Sequence, residues 1–156
     1  MTVSDKTVII TGAGSTRGIG RATAHALAAA GWNVAILDLN EPRAKQAADE
    51  VAERQQVQTV GVGCDVTDEA SVEAALTSLD ASMPPVGALV NNAGITSPTR
   101  FLDVTGEEWD RIFAVNVRGS YNITRRVVPA VNAVAPGESG YITGVTYDVN
   151  GGSHIH

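Results

Sequence analysis

The sequence predicts a doubly wound α/β fold: a parallel sheet with helices on both faces, three αβα layers in all. Three observations carry this. Short apolar, β-branched runs alternate with alanine-rich or charged helical stretches through the first 130 residues. A glycine-rich turn joins the first run to the first helical stretch. An acid, Asp38, closes the second run.

The elements follow in order. Thr7–Thr11 (TVIIT) has the composition of a strand buried on both faces. Gly18–Ala30 is rich in alanine, and Gly31 stands where a helix C-cap belongs. Asn33–Leu39 (NVAILDL) reads as the second strand. Asn40 can cap the next helix, with Pro42 in its first turn and an end near Gln55. Val57–Val66 reads as the third strand. Thr67 is the expected cap of the helix after it, with Asp68 and Glu69 favourable at its positive end. Gly87–Asn91 reads as the fourth strand, and a long helix is expected from Thr105 to Val128.

After Pro129 the pattern breaks. VNAV at 131–134 looks like a strand, yet it follows the helix without the roughly 2–6 residues of an ordinary connection. APGESG then leads to YITGVTYDV, another strand pattern. That link is shorter than the roughly ten residues a parallel crossover needs. Both places read as junctions where sequence is absent, one after Ala130 and one after Gly137. Residues 1–156 otherwise read as one domain.

Composition narrows the function classes. At 44% hydrophobic and 18% charged, the chain has the make-up of a folded globular protein. A net charge of -6 argues against nucleic acid or an anionic membrane as partner. Strand residues begin within the first ten positions, so no charged-then-apolar leader is expected, and no apolar run is long enough to span a membrane. Cys64 is the lone cysteine, which suits a reducing compartment; a cytoplasmic protein is expected. Cys64 itself reads as a small buried residue, not a nucleophile. Trp109 and Phe113 have helical i, i+4 spacing and read as a packed or interface stripe. His154 and His156 alternate at the end of the chain, but two ligands on a tail do not make a metal site, and none is expected.

The glycine turn points to chemistry. Thr11-Gly12 ends the first strand and Gly18-Ile19-Gly20 opens the first helix. Glycines there let backbone approach a pyrophosphate, and the helix start supplies N–H donors and a positive end. Strand, turn, helix, strand and acid together form a dinucleotide-binding, Rossmann-like signature. Asp38 can accept hydrogen bonds from both hydroxyls of the adenosine ribose and would repel a 2′-phosphate, which favours NAD over NADP. Arg17 points the other way, since it could pair with that phosphate. Asp38 carries more weight because its charge would sit at the ribose itself. NAD is therefore the expected cofactor and NADP the alternative.

Taken together, these motifs resemble the short-chain dehydrogenase/reductase family. The resemblance rests on TG…GIG at 11–20, Asp65-Val66 after the third strand, Asn91-Asn92-Ala93-Gly94 after the fourth, and Asn116 in VNVRG. The VNAVAPG and YITGVTYDVNGG segments extend it over nearly the whole chain. NNAGIT, EEW and the YITG…VNGG tail are most similar to the 3-oxoacyl-acyl-carrier-protein reductase branch. The resemblance implies that Asp65 and Val66 contact the adenine. It implies that Asn92, Ala93 and Gly94 line the cofactor floor, and that Asn116 holds a water in a proton relay. On the residues alone, Asn116 reads instead as a polar residue that kinks or caps a helix. The family also implies a homotetramer, with the long helices and the last strand in its interfaces.

Two departures stand out. Five residues (AGSTR) separate Thr11-Gly12 from Gly18-Ile19-Gly20, where the family has three. The candidate phosphate cradle thus comprises Gly12, Gly14, Ser15, Thr16, Arg17, Gly18, Ile19 and Gly20, with Ser15 or Thr16 as a hydroxyl donor. The second departure is catalytic. Reducing a ketone takes a hydride and a proton; in the family a Tyr supplies the proton, a Lys four residues later lowers its pKa, and a Ser orients the carbonyl. Here Tyr121 is followed by Arg125, Tyr141 by Val145 and Tyr147 by Gly151, and the two lysines are Lys6 and Lys45. Arg125 cannot deprotonate. Family domains run to about 250 residues, so roughly 90–100 residues would be missing. The implied parent is an NAD(P)-dependent oxidoreductase that interconverts a secondary alcohol and a ketone, with a 3-oxoacyl thioester as candidate substrate. This chain alone is expected to be inactive; the alternative is a catalytically dead dinucleotide-binding module.

Overall fold

Five consecutive buried residues, Thr7–Thr11, form the central strand β1. The computed structural model describes residues 2–134. The YITGVTYDV strand, the junction after Gly137, and His154 and His156 lie outside them. The elements after β1 are α1 (Ile19–Ala29), β2 (Asn33–Asp38), α2 (Glu41–Arg54), β3 (Thr59–Gly63), α3 (Glu69–Ser82) and β4 (Val86–Val90). A continuous helical stretch follows: α4 (Gly106–Phe113), a π-helical segment (Ala114–Gly119) and α5 (Ser120–Val134).

All strand pairs are parallel, in the order β3-β2-β1-β4. The chain winds outward from β1 through β2 to β3, then returns to the far side of β1 as β4. That reversal opens a crevice at the carboxyl ends of β1 and β4, where folds of this kind place ligands. Successive side chains of the sheet enter two separate cores. Val8, Ile10, Val34 and Ile36 pack against Ala24, Ala28, Ala44 and Ala47 of α1 and α2. Ile9, Ala35 and Leu37 pack against Val72, Leu79, Ile123 and Val127 of α3 and α5. Each valine, leucine or isoleucine among them contributes about 1.5–3 kcal/mol relative to exposure.

Local signals explain several boundaries. Gly31 has φ +90°, the left-handed conformation that ends α1. Asn40 accepts the N–H of Arg43 at 3.1 Å, so α2 starts where the sequence predicts. Thr105 likewise accepts the N–H of Glu108 at 3.1 Å and caps α4.

Three expectations need correction. The cap of α3 is Asp68, which accepts the N–H of Ala70 at 3.0 Å. The Thr67 hydroxyl is already committed, donating to Asp65 Oδ1 at 2.7 Å. The long helix is not regular, because six π-helical residues interrupt it. Residues 131–134 are not a strand but the last turn of α5, which runs through Pro129 and Ala130. Val131 lies one helical turn beyond Val127 and packs on the same core, so the buried stripe of Ile123 and Val127 continues into it. A four-residue apolar run carries no period of its own.

Candidate cofactor site

The crevice is built on a clamp between the ends of β1 and β4. Gly12 has φ +65°, and a Cβ there would stand 2.6 Å from the Ala93 Cα, so only glycine fits. The Thr11 hydroxyl accepts the N–H groups of Asn92 and Ala93 at 3.1 and 3.0 Å. The Asn92 amide donates to the carbonyls of Thr11 and Gly12, both at 2.9 Å. Asn92 thus anchors the turn from behind and is not part of the cleft wall.

Asp38 is half-buried at the end of β2. Its Oδ2 accepts the N–H of Gly14 at 2.8 Å, and its Oδ1 accepts the N–H of Asn40 at 3.0 Å. Across the cleft, Asp65 Oδ1 accepts the N–H and hydroxyl of Thr67 at 2.9 and 2.7 Å. The loop that carries Val66 is held from beneath by the buried Asn122 of α5, which donates to the Val66 carbonyl at 3.0 Å.

Asn116 sits in the π-helical segment. Its Oδ1 accepts the Ile95 N–H and its Nδ2 donates to the Ile95 carbonyl, both at 2.9 Å. This two-point grip pins the segment that leaves β4, and helical irregularities of this type recur at functional sites. Farther along, Ser97 and Thr99 donate to Glu108, which holds that carboxyl below its usual range.

The resulting cleft has a volume of about 240 Å³. Gly12, Asp38, Asp65, Val66, Ala93 and Gly94 all line it, so six of the residues singled out in the sequence converge there. Leu37, Leu39, Cys64, Ile95 and Val115 add apolar wall. Ser15, Thr16 and Arg17 are exposed on the turn, as is Ile19, and none of them lines this cleft. Gly14 reaches the site through Asp38, and Gly20 is wedged between Ala13 and Asn92. A larger, shallower hollow of about 530 Å³ lies on the α4–α5 stretch and shares no residue with the cleft. Beside it Trp109 stacks on Phe113, ring centres 4.6 Å apart.

Sequence reasoning passed over two buried polar residues, Arg21 and Asn122. The signal for Arg21 was present: it falls three and seven residues before Ala24 and Ala28, on the buried stripe of α1. A charge on such a stripe calls for partners.

Cys64 is buried in the cleft floor, and burial pushes its thiol from the ordinary 9.0 up to about 11, with the Ser71 hydroxyl opposing and the charges of Asp65 and Asp68 assisting. At about pH 8 the folded chain is therefore expected to react with iodoacetamide far more slowly than the urea-unfolded chain. Equal rates would show that Cys64 is not buried. Because the thiol ionises first in the unfolded chain, its contribution to stability is complete below 9.0 and is lost as pH rises toward about 11.

A family model described as short chain dehydrogenase matches residues 6–146. An uncharacterized short-chain type dehydrogenase/reductase of Sinorhizobium fredii is 38% identical over 152 residues, covering 97% of this chain and 60% of that protein. L-sorbose reductase from Gluconobacter frateurii, complexed with NADPH and L-sorbose, matches with a TM-score of 0.76 at 30% identity, over 85% of this chain and 49% of the other. A 3-ketoacyl-(acyl-carrier-protein) reductase from Brucella melitensis, complexed with NADH, matches with a TM-score of 0.72 at 38% identity, over 83% of this chain and 51% of the other. The chain thus spans between 49% and 60% of the length of these proteins.

Proposed function

Because this chain belongs to the short-chain dehydrogenase family, we propose that it is the dinucleotide-binding part of an NAD-dependent oxidoreductase that interconverts a secondary alcohol and a ketone, with a 3-oxoacyl thioester as the ketone. The observation that carries the cofactor half is Asp38. An ionised carboxylate offers about four acceptor positions. Backbone N–H groups take one on each oxygen. The remaining positions suit the two hydroxyls of a ribose, and the negative charge disfavours a 2′-phosphate in the same place. NADP is the second reading, supported by the exposed Arg17 and by the NADPH complex of L-sorbose reductase.

The residues present fit the adenosine end of such a cofactor. Gly12 and Gly94 leave the cleft wall bare of side chains, and Ala93 adds only a methyl. At about 240 Å³ the cleft falls below the roughly 300–1,000 Å³ of a whole small-molecule site, which suits a nucleoside in place of a full dinucleotide. In this reading Asp65 and Val66 hold the adenine, and Gly12, Gly14 and the turn from Ser15 through Thr16, Arg17, Gly18 and Ile19 to Gly20 cradle the pyrophosphate. Ala93 and Gly94 form the floor, Asn92 braces it from behind through Thr11 and Gly12, and Asn116 positions the Ile95 segment and a relay water. When bound, the nicotinamide supplies or accepts the hydride. The proton on the carbonyl oxygen requires a Tyr-x-x-x-Lys pair, and the 156 residues contain none. The chain by itself is thus proposed to bind NAD(H) without turnover, as a dinucleotide-binding module.

The exposed Trp109, Phe113, Val117 and Tyr121 along the helical stretch from α4 to α5 support the homotetramer in this reading. No helix among the described residues is long and apolar enough to cross a membrane. A cytoplasmic location is part of the proposal, on the lone buried thiol of Cys64.

The test is a titration of the purified chain with NADH and NADPH, followed by ligand fluorescence, and then addition of a 3-oxoacyl thioester. Saturable binding with NADH preferred, and no loss of NADH absorbance, is the expected result. A chain that binds no dinucleotide contradicts the cofactor reading, and steady oxidation of NADH contradicts the lack of turnover.

A further inference from the structure

The Ala13–Gly14 peptide unit is held on both edges. Its N–H donates to Asp38 Oδ2 at 2.8 Å. Its carbonyl, on the opposite edge of the planar trans unit, accepts Arg21 Nε at 3.4 Å. A second guanidinium nitrogen, Nη2, donates to the Gly14 carbonyl at 3.0 Å. The third, Nη1, is paired with Glu50 on α2. Arg21 is only 4% exposed, so its charge is tolerable because Glu50 offsets it and two carbonyls accept from its other two nitrogens. Nothing at Gly14 itself intervenes, since a Cβ there would stand 2.8 Å from the Asp38 carboxyl.

Glu50, Arg21, one peptide unit and Asp38 therefore form a single hydrogen-bonded line from α2, through the glycine turn, to the end of β2. Such lines polarise each member, and tilting the central peptide would break the bonds at both ends together. Resting on the reading that Asp38 holds the adenosine ribose, we propose that Arg21 is a positioning residue for cofactor choice. It fixes the Ala13–Gly14 peptide and, through it, the carboxylate that separates a ribose diol from a 2′-phosphate. Arg21 touches no cofactor atom in this arrangement; it acts through the peptide.

Three variants of the full chain test this: Arg21→Met, which keeps bulk and removes the donors, and Arg21→Lys and Glu50→Gln, which are milder. The readouts are the NADPH-to-NADH ratio of dissociation constants and hydrogen exchange at the Gly14 amide. Arg21→Met is expected to weaken NADH about tenfold and NADPH little, narrowing the ratio by a similar factor. The Gly14 amide loses protection while the amides of Ile9 and Ile10 in β1 keep theirs. Arg21→Lys restores part of the ratio. In an Asp38→Ala background, Arg21→Met leaves the ratio unchanged, because the two residues act in series.

An unaltered ratio in Arg21→Met, or effects that add to those of Asp38→Ala, overturns the inference while leaving the cofactor reading intact. Should Arg21→Met fail to fold, the same outcomes are read from Glu50→Gln and Arg21→Lys. A wild-type chain that binds neither dinucleotide overturns the proposed function and this inference with it.

Discussion

Replacing Gly61 with alanine is expected to destabilise the chain by about 3 kcal/mol or more and to lower its Tm by about 10 °C. A Cβ at Gly61 would overlap the Ala44 carbonyl and the Lys45 amide, which are backbone atoms inside α2 and cannot rotate aside. Helix α2 lies this close to β3 because its facing residues are small: Ala44, Ala47 and Ala48 are all buried there. The Thr59 hydroxyl, donating to the Ala48 carbonyl at 3.0 Å, fixes the spacing further. Admitting one methyl requires the helix to retreat, which opens the contacts of Ala44, Ala47 and Val51 together. Retreat would also move Glu50 and Asn40, which reach the candidate cofactor site through Arg21 and Asp38. NADH binding should therefore weaken along with stability. Gly106→Ala is the control, since nothing lies within 4 Å of its Cβ position, and it should melt like the wild type. Thermal denaturation followed by circular dichroism decides the matter: a Gly61→Ala chain that also melts like the wild type would mean α2 does not lie against β3 as described.

Asp38→Ala is expected to reverse cofactor preference. On the proposed reading of Asp38 as the ribose acceptor, losing the carboxylate removes the acceptors for the two hydroxyls, which should weaken NADH by about 10–100-fold. The same change removes a negative charge from the place a 2′-phosphate would occupy, so NADPH should bind more tightly than in the wild type. Asp38→Asn is the informative companion. Its amide keeps one acceptor oxygen and loses the charge, so it should give an intermediate NADH affinity with most of the NADPH gain. Calorimetric titration of both dinucleotides reads the outcome. Unchanged NADH affinity in Asp38→Ala would remove Asp38 from the ribose site and leave it only the role of tying Gly14 and Asn40 to the end of β2.

The parts of this site that the sequence reveals are those with a local cause. The strand Thr7–Thr11 needs only its own apolar run, and the start of α2 needs only Asn40 three residues before Arg43. Asp38 is recognisable because it closes a strand after a glycine turn and a helix. Where two local signals compete, the reading fails. Thr67 and Asp68 are both good caps, and Asp68 takes the role because Asp65 already holds the Thr67 hydroxyl. The π-helical residues around Asn116 continue an otherwise helical pattern. Their irregular winding accompanies a grip on Ile95, 21 positions earlier in the chain, that no periodicity announces.

The sequence alone determined the fold class, the order of the elements through β4, the acid and glycines of the candidate site and the lack of a Tyr-x-x-x-Lys pair in these 156 residues. Each is written in residues a few positions apart, within reach of one turn of helix or one strand. Only the tertiary structure decided that Arg21 bridges the glycine turn to Glu50, that Asn92 clamps Thr11 and Gly12, and that residues 131–134 extend α5. These depend on which faces meet when the helices close over the sheet. A buried charge or amide takes whatever partner that packing brings within about 3 Å, because leaving it unpaired away from water costs more than the ordering needed to pair it.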